Sequence, residues 1–399
     1  MARRLVVCLD GTGNEIGRTI SNVLKLYRAF ENNPDQLLYY DPGVGTIGVP
    51  GEWARLKQGV AAFAGLAFGV GLDHTVLRAY AFLCRSYRSG DQIYLFGFSR
   101  GAHSARVLAG LIQITGLLAP EQLNLCGYAL VNYKRTLEDD DHLQRARRFK
   151  TYLRGRSVTI RLMGLWDTVS SVIVPRRDRL YLPSLERALP YTRRNPAVRA
   201  FRHALAIDER RRMYRPQGWA NEQPFRPNPF DVSQSTAQDV RQVWFAGAHA
   251  DVGGGYAETE SQLSKYPLLW MIDQAIEAGL TFGTMAVSRL GRGGRVPGDI
   301  AYVGPDATGP LHTSLTRRWW LLEYWPKRDR FREWPGRKQA LGLYLPMGEP
   351  RPIPEGAHIH QSVLDRIAAC DDYRPVNLPA SFKVEAHSAA PRTVRRKKP

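Results

Sequence analysis

The chain contains 399 residues, more than one small core needs, so we expect a large domain that carries insertions or an appended module. Its residues are 44% hydrophobic and 23% charged, as is typical of a globular protein that can bury a sizeable core. The formal net charge of +19 predicts a surface that attracts anions, such as acidic lipid head groups or nucleic acid. A basic surface without a dedicated anionic target is the competing interpretation.

Cysteine spacing and the length of the apolar runs exclude several classes of protein. The four cysteines have no CxxC spacing, so we predict neither a disulfide framework nor a zinc site, which suits a reducing compartment. The apolar run at residues 5–9 is too short for a signal peptide. The longest apolar stretch, residues 59–72, is shorter than the ~20 residues of a membrane-spanning helix. We therefore expect a cytoplasmic protein, with export by a signal-independent secretion system as the alternative.

Apolar and β-branched runs alternate along the chain with helix-length segments, a rhythm that predicts an α/β fold with a mostly parallel sheet covered by helices. The predicted strands lie at residues 5–9, 37–40, 92–96, 158–165 and 240–246. Helices are predicted at residues 21–30, 72–87, 102–117 and 263–278, mainly because apolar residues recur there at helical spacing.

The remaining segments break this rhythm and suggest the domain organisation. We predict a main domain over residues 1–290, with insertions at about 119–157 and 175–239. Residues 291–389 form an irregular C-terminal accessory region, in which tryptophans at 319–334 stand among basic residues. That mixture suits a membrane interface, although aromatic residues are more often buried. Residues 390–399 are a basic tail that we expect to be disordered.

The segment Gly97-Phe98-Ser99-Arg100-Gly101 directly follows the third predicted strand and precedes a predicted helix. Strand, sharp turn and helix are the context of a nucleophile elbow, in which glycines let the strand and the helix approach closely. Ser99 is therefore predicted as a nucleophile. The backbone N–H of Arg100, at the positive end of the helix dipole, is a candidate oxyanion donor. The alternative is a glycine-rich turn with a bystander serine.

A nucleophilic serine needs a base, and the base needs an orienting acid; in this fold the chain order is serine, acid, histidine. Asp167 closely follows the fourth predicted strand and His249 follows the fifth, so both are expected at the same sheet edge as Ser99. We predict Asp167 as the acid and His249 as the base, with Asp251 and His360 as the rival acid and base. An aspartate that caps a turn and a structural histidine are the simpler alternatives.

A short polar loop, Asp10-Gly11-Thr12-Gly13-Asn14, follows the first predicted strand. Aspartate, glycine and asparagine supply the dihedral angles of a tight turn, which is the simpler interpretation. In a hydrolase of this kind, such a loop supplies the second oxyanion donor, so the backbone N–H groups of Gly11 and Thr12 are candidates. A phosphate cradle is less favoured, because no Walker lysine follows.

Five segments together resemble the phospholipase-effector-like catalytic domain family of α/β hydrolases, which includes lipase effectors of bacterial type VI secretion. They are residues 9–14 (LDGTGN), 97–102 (GFSRGA), 166–169 (WDTV), 203–211 (HALAIDERR) and 247–256 (GAHADVGGGY). The resemblance spans roughly residues 4–280. It implies an α/β-hydrolase-like fold with helices on both faces and a Ser-Asp-His triad of Ser99, Asp167 and His249. It also implies a bacterial source and, since some members cleave phospholipid acyl esters, a lipid substrate.

We therefore expect a serine hydrolase that cleaves carboxylic esters, including acyl esters of phospholipids, without a metal or an organic cofactor. The expected partners are an ester or lipid substrate and an anionic membrane surface, with no specific nucleic acid. Two alternatives stay open. A metal-dependent phosphohydrolase would use Asp10, Asp167, His249 and Asp251 at strand ends. A non-enzymatic protein would use the basic hydrolase scaffold to bind membranes or nucleic acid.

Overall fold

A sheet of eight parallel strands dominates the part of the chain that the computed structural model describes. The described residues are 2–11, 19–43, 70–136, 148–169, 173–175, 183–185, 189–227, 232–294, 301–329, 332–337 and 339–388. The strands are β1 (Arg4–Leu9), β2 (Gln36–Asp41), β3 (Gln92–Phe98), β4 (Ile160–Trp166), β5 (Val198–Ala206), β6 (Asp239–Phe245), β7 (Ala357–His360) and β8 (Phe382–Glu385). Their order across the sheet is β2-β1-β3-β4-β5-β6-β7-β8.

Helices cover both faces of this sheet. They are α1 (Asn22–Ala29), α2 (Val70–Ser86), α3 (Arg100–Thr115), α4 (Cys126–Arg135), α5 (His249–Gly253), α6 (Gln262–Glu277), α7 (Thr284–Arg292), α8 (Arg317–Glu323) and α9 (Gln361–Ala369). Successive residues of β1 point to opposite faces, so Leu5 and Val7 pack with α2, α3 and α4, whereas Val6 and Cys8 pack with α1, α6 and α7. This confirms the α/β-hydrolase-like fold class.

Short elements complete the described chain. Small antiparallel sheets join Thr19–Ser21 to Gly254–Ala257, Ile173–Pro175 to Pro183–Leu185, Pro224–Phe225 to Thr236–Ala237, and Leu343–Tyr344 to both Lys327–Arg328 and Gln339–Ala340. Short 3₁₀ helices lie at Pro120–Leu125, Arg212–Tyr214, Val232–Gln234 and Glu258–Glu260. Within the described ranges, no helix combines the length and the apolar character that crossing a membrane requires.

The strand register brings the carboxyl ends of neighbouring strands to one edge. Leu9 is level with Gly97, Phe98 is level with Trp166, and Trp166 is level with Ala204. The ends of β5 and β6 are level as well. Residues that directly follow these strands therefore meet at one edge of the sheet, where open α/β sheets bind their ligands.

The five predicted strands and the four predicted helices are all present, with ends displaced by a few residues. Strand β5 requires a correction, because it lies inside residues 175–239, which the sequence predicts to be an insertion. It occupies the middle of the sheet between β4 and β6. Arg199 and Arg202 interrupt its apolar pattern. The structure buries Arg202 with an ion pair to Asp239 (Nη2 to Oδ2, 2.6 Å).

The C-terminal region, predicted over residues 291–389, also requires a correction, since its described part supplies two strands to the sheet. Strands β7 and β8 continue the sheet beyond β6, with His358 level with Val243. The four residues of β7 include two histidines, so the strand lacks an apolar run that could be recognised in the sequence. The predicted tail at 390–399 and most of the apolar stretch, residues 59–69, lie outside the described residues.

The close approach of α3 to β1 depends on a missing side chain. A Cβ atom on Gly101 would lie 2.1 Å from the Leu9 carbonyl oxygen and 2.5 Å from that of Asp10. Both contacts are with backbone atoms, which cannot move without displacing β1. Gly127 in α4 is the opposite case, because a Cβ there meets nothing within 4 Å.

We expect Gly101→Ala to lower the free energy of unfolding by on the order of 1–3 kcal/mol, because the new methyl group displaces β1 from α3. Urea denaturation monitored by circular dichroism measures this change. Gly127→Ala is the matched control, the same substitution in a helix with open space, and should be neutral or stabilise by up to ~1 kcal/mol. Equal effects at the two positions would contradict the packing described here.

Candidate active site

Ser99 lies on the turn between β3 and α3. Its backbone has φ 56° and ψ −121°, a conformation that non-glycine residues adopt only when the surrounding structure imposes it. The Ser99 N–H donates to the carbonyl of Trp166 (3.1 Å), the last residue of β4. The strand–turn–helix context that the sequence predicts around Ser99 is therefore present, and the residue is 9% exposed at the sheet edge.

His249 is the first residue of α5 and lies beside Ser99. Its Nε2 is 2.8 Å from Ser99 Oγ, and its Nδ1 is 2.5 Å from Asp167 Oδ2. The rings of Phe98 and Tyr214 pack against the imidazole, with centroid distances of 4.7 and 4.9 Å. Burial lowers the pKa of His249, although Asp167 opposes this effect. A neutral imidazole next to a hydroxyl can accept its proton.

Asp167 directly follows β4 and is completely buried. Its Oδ1 accepts hydrogen bonds from the backbone N–H of Ala206 (3.1 Å) and from Arg351 Nη1 (2.6 Å). Burial raises the pKa of Asp167, but the Arg351 guanidinium and His249 outweigh burial and hold that pKa well below its usual range. The Asp167 carboxylate is therefore ionised, and it can accept a hydrogen bond from the Nδ1–H of His249.

The three candidate oxyanion donors, the backbone N–H groups of Arg100, Gly11 and Thr12, differ in their position and in the hydrogen bonds they already make. Arg100 is the first residue of α3, so its backbone N–H lies at the positive end of the helix dipole beside Ser99. Gly11 is also near, since a Cβ on it would lie 3.4 Å from Ser99 Cβ. However, the Gly11 N–H donates to Asp10 Oδ1 (2.7 Å), which already satisfies it. Thr12 lies outside the described residues.

The alternative residue Asp10 serves as a buried acceptor at the end of β1. Its Oδ2 accepts hydrogen bonds from Tyr40 Oη (2.8 Å) and from Ser21 Oγ. Together with the Gly11 contact, these bonds hold the residues directly after β1, Asp10 and Gly11, against the neighbouring elements. Residues 12–14 of the predicted loop lie outside the described residues.

The rival acid and the rival base have other partners. Asp251 accepts from the Ala248 N–H (2.9 Å) and pairs with His312 (Oδ1 to Nδ1, 2.7 Å), which fastens α5 to the segment around residue 312. His360 accepts from the Ser362 N–H (3.2 Å) and thereby caps α9, while burial lowers the pKa of His360 to about 3. The structure gives both residues roles in holding elements together.

The ligand set of the metal-dependent alternative does not assemble. Over the described ranges, no group of three or more His, Cys, Asp or Glu side chains could hold a metal ion. Asp167 and His249 do meet, but the Asp10 and Asp251 carboxylates accept hydrogen bonds from other residues. The arrangement is therefore that of a hydrogen-bonded serine, histidine and aspartate.

Two buried charged residues contact this site although the sequence analysis did not single them out. Arg351 forms a two-pronged ion pair with Asp167. Glu209 accepts from the His249 N–H (3.3 Å), from Ser314 Oγ and from the Arg211 guanidinium. Burial raises the pKa of Glu209, but Arg211 outweighs burial and lowers that pKa to about 2. Only Glu209 had a signal in the sequence, since it lies in the family-like segment 203–211.

The sequence can be compared with known protein families at this point. The family model described as "T6SS, Phospholipase effector Tle1-like, catalytic domain" matches residues 3–274, which is more than half of the chain and includes β1 to β6. The chain belongs to this family. Ser99, Asp167 and His249 lie inside the part that matches the Tle1-like model, whereas β7, β8 and Arg351 lie beyond it.

Similar proteins occur in yeast and bacteria. The uncharacterized protein YEL023C of Saccharomyces cerevisiae is 35% identical over 245 residues, which are 58% of this chain and 34% of the yeast protein. A solved structure of an uncharacterized Pseudomonas aeruginosa protein is 20% identical, with a TM-score of 0.38, over 70% of this chain and 47% of that one. The structure of a Tle1 effector bound to the VgrG spike is also 20% identical, with a TM-score of 0.33, over 66% and 53% of the two chains.

The chain thus spans about a third of the yeast relative and about half of each solved chain. The yeast relative also shows that similar sequences are not restricted to bacteria, so a bacterial source does not follow from membership of the Tle1-like family.

Proposed function

We propose that this chain is a serine hydrolase that cleaves carboxylic esters, with Ser99 as the nucleophile, His249 as the general base and Asp167 as the acid that orients the base. The observation that carries the proposal is the continuous run of hydrogen bonds from Ser99 Oγ to His249 Nε2 (2.8 Å) and from His249 Nδ1 to Asp167 Oδ2 (2.5 Å). Membership of a family of phospholipase effector catalytic domains supports the same class of reaction.

In the proposed mechanism, His249 Nε2 takes the Ser99 proton while Oγ attacks the ester carbonyl carbon. Asp167 holds the Nδ1 proton and stabilises the imidazolium that forms. The backbone N–H of Arg100 is the proposed donor to the oxyanion. His249 then gives its proton to the departing alcohol, and a water molecule deprotonated by His249 releases the acid from the acyl-enzyme. These steps use only side chains, backbone and water, so the mechanism requires no cofactor.

The proposed substrate is an acyl ester of a lipid, including phospholipids. Aromatic rings surround the base: Phe98 and Tyr214 pack on His249, and Trp319 packs on Tyr214 with a centroid distance of 5.4 Å. The Arg211 guanidinium lies 3.4 Å from the centroid of the Tyr214 ring. The aromatic rings suit the acyl chain of such an ester, while the Arg211 charge is balanced by its ion pair with Glu209 (2.8 Å).

We expect Ser99→Ala to lower kcat by at least about 10³-fold on p-nitrophenyl esters of varied chain length, because no atom remains to accept the acyl group. Release of p-nitrophenol measures turnover, and thermal melting shows that the variant is folded. Ser264→Ala, the same change at a buried serine in α6, should retain turnover. A folded Ser99→Ala variant with wild-type turnover would refute the proposed nucleophile.

We also propose that the protein contacts an anionic membrane through an interfacial patch, defined as the exposed apolar and basic side chains among the described residues between 317 and 347. Seven of the 14 exposed large hydrophobic residues in the described chain belong to it: Leu321, Tyr324, Trp325, Leu341, Leu343, Leu345 and Met347. The exposed Arg317 and Arg328 lie in the same segment. Leucine, tryptophan and arginine together favour the boundary between head groups and acyl chains.

The interfacial patch adjoins the proposed site through α8. Trp319 of α8 packs on Tyr214, whose ring packs on His249. A bilayer that contacts the patch would therefore lie near the residues that act on the ester. Among the tryptophans at 319–334 that the sequence suggests for a membrane interface, Trp325 is 55% exposed.

We expect the double variant Leu321→Glu, Leu341→Glu to float at least about tenfold less with phosphatidylglycerol vesicles at low salt, because two apolar anchors become anionic. Turnover of a short soluble ester should not change. Met285→Glu is the matched control, since Met285 is 83% exposed but lies in α7 outside the patch. Equal flotation of the double variant and the wild type, or no flotation of the wild type, would remove the membrane proposal.

A further inference from the structure

Asp167 is held on one side by His249 and on the other by Arg351. Arg351 Nη1 donates to Oδ1 (2.6 Å) and Nη2 donates to Oδ2 (3.0 Å), the oxygen that also accepts from His249 Nδ1. Both Asp167 and Arg351 are completely buried. A guanidinium that binds both oxygens fixes the plane of a carboxylate as well as its position, which a single hydrogen bond cannot do.

The same guanidinium connects the carboxylate to two other parts of the chain. Nη1 also donates to the carbonyl of Ala206 (2.9 Å), the last residue of β5, and Nη2 also donates to the carbonyl of Tyr214. The Tyr214 ring is one of the two that pack on His249. Arg351 therefore links the acid, the end of a central strand and a contact of the base.

Arg351 comes from a part of the chain that the family model does not cover, because the match ends at residue 274. It precedes β7 and reaches the site from the C-terminal region. The residues inside the family match provide Asp167 with two partners, the His249 ring and the Ala206 N–H. They do not provide the buried cation that contacts the carboxylate, which is Arg351.

Two other charged residues near the His249 imidazole have opposite effects on its pKa. Glu209 raises the pKa of His249 and Arg211 lowers it, and these two form their own ion pair (Nη2 to Oε2, 2.8 Å). His203, whose Nε2 accepts from the Thr168 N–H (3.0 Å), is buried near Asp167, and burial lowers the pKa of His203 well below its usual value. The cation in direct contact with Asp167 is Arg351.

We propose that Arg351 is a positioning residue for the proposed hydrolysis, which fixes the carboxylate of Asp167 and, through its charge, keeps the Asp167–His249 pair from taking up a proton. The inference rests on the proposed function. A buried carboxylate beside a histidine without a nearby cation would bind an extra proton more readily, whether that proton resides on the ring or on the carboxyl group. A protonated pair cannot accept the Ser99 proton.

Two substitutions separate the charge of Arg351 from its geometry. Arg351→Gln removes the charge, and we expect kcat/KM to fall by about 10–100-fold and the acid limb of the pH profile of kcat/KM to move up by about one pH unit. Arg351→Lys keeps the charge but not the two-pronged contact. Its acid limb should stay near that of the wild type, while kcat falls.

A second measurement does not depend on turnover. Nitrogen NMR of the full chain with ¹⁵N-labelled histidine follows the protonation of the pair, with His249→Ala identifying the signal. The midpoint should rise by about one pH unit in Arg351→Gln and return toward the wild-type value in Arg351→Lys. A wild type without esterase activity would contradict the proposed function, yet this titration would still decide whether Arg351 opposes protonation.

Arg202→Gln is the matched control, because it also removes a buried guanidinium, from an ion pair with Asp239 at the amino end of β6. It should lower stability without moving the titration midpoint or the acid limb. The proposal is overturned if folded Arg351→Gln keeps the wild-type midpoint and pH profile, or if Arg202→Gln shifts both by the same amount.

Discussion

The arrangement at the sheet edge depends on one buried ionised carboxylate. A charge removed from water is stable in a protein interior only when hydrogen-bond donors and an opposite charge surround it. Asp167 has no exposed surface, and its partners come from three parts of the chain: the Ala206 N–H of β5, the His249 ring of α5 and the Arg351 guanidinium of the C-terminal region. The loss of any one of these partners leaves the buried charge of Asp167 incompletely compensated. The geometry of the site therefore depends on all three parts of the chain.

The backbone around this carboxylate is fixed by the same strands that bring the site together. The Ser99 N–H donates to the carbonyl of Trp166, and the Asp167 N–H donates to the carbonyl of Ala204 (2.8 Å). Ser99 and Asp167 both have positive φ, at 56° and 36°. Such strain persists where surrounding contacts determine the conformation, and here neighbouring parallel strands provide those contacts. Strained residues at two adjacent strand ends direct two side chains toward one histidine.

Local patterns in the sequence were sufficient for much of this site. Ser99, Asp167 and His249 each follow an apolar run that becomes a strand, and parallel strands end at a common edge, so their proximity could be predicted from order alone. Strand β5 was missed because Arg199 and Arg202 interrupt its apolar pattern, and the ion pair that buries Arg202 joins two separate strands. Such compensation between distant residues leaves no periodic signal.

Arg351 is a second feature that the sequence pattern could not reveal. Its partner Asp167 lies 184 positions earlier in the chain, and nothing in the neighbouring residues distinguishes this arginine from the many others. The sequence pattern separated the C-terminal region from the main domain, since β7 is short and carries two histidines. The structure instead joins that region to the sheet through β7 and to the proposed site through Arg351. The same region carries the residues of the interfacial patch, through which we propose contact with a membrane.

The most direct test of the central claim, that Ser99 is made nucleophilic by the histidine and carboxylate behind it, is mass spectrometry of the full chain after treatment with a fluorophosphonate. The account predicts one adduct, located on the peptide that contains Ser99, formed at the same rate with or without a chelator and lost in His249→Ala. A native protein that stays unlabelled, or an adduct that forms equally fast without the His249 ring, would contradict it.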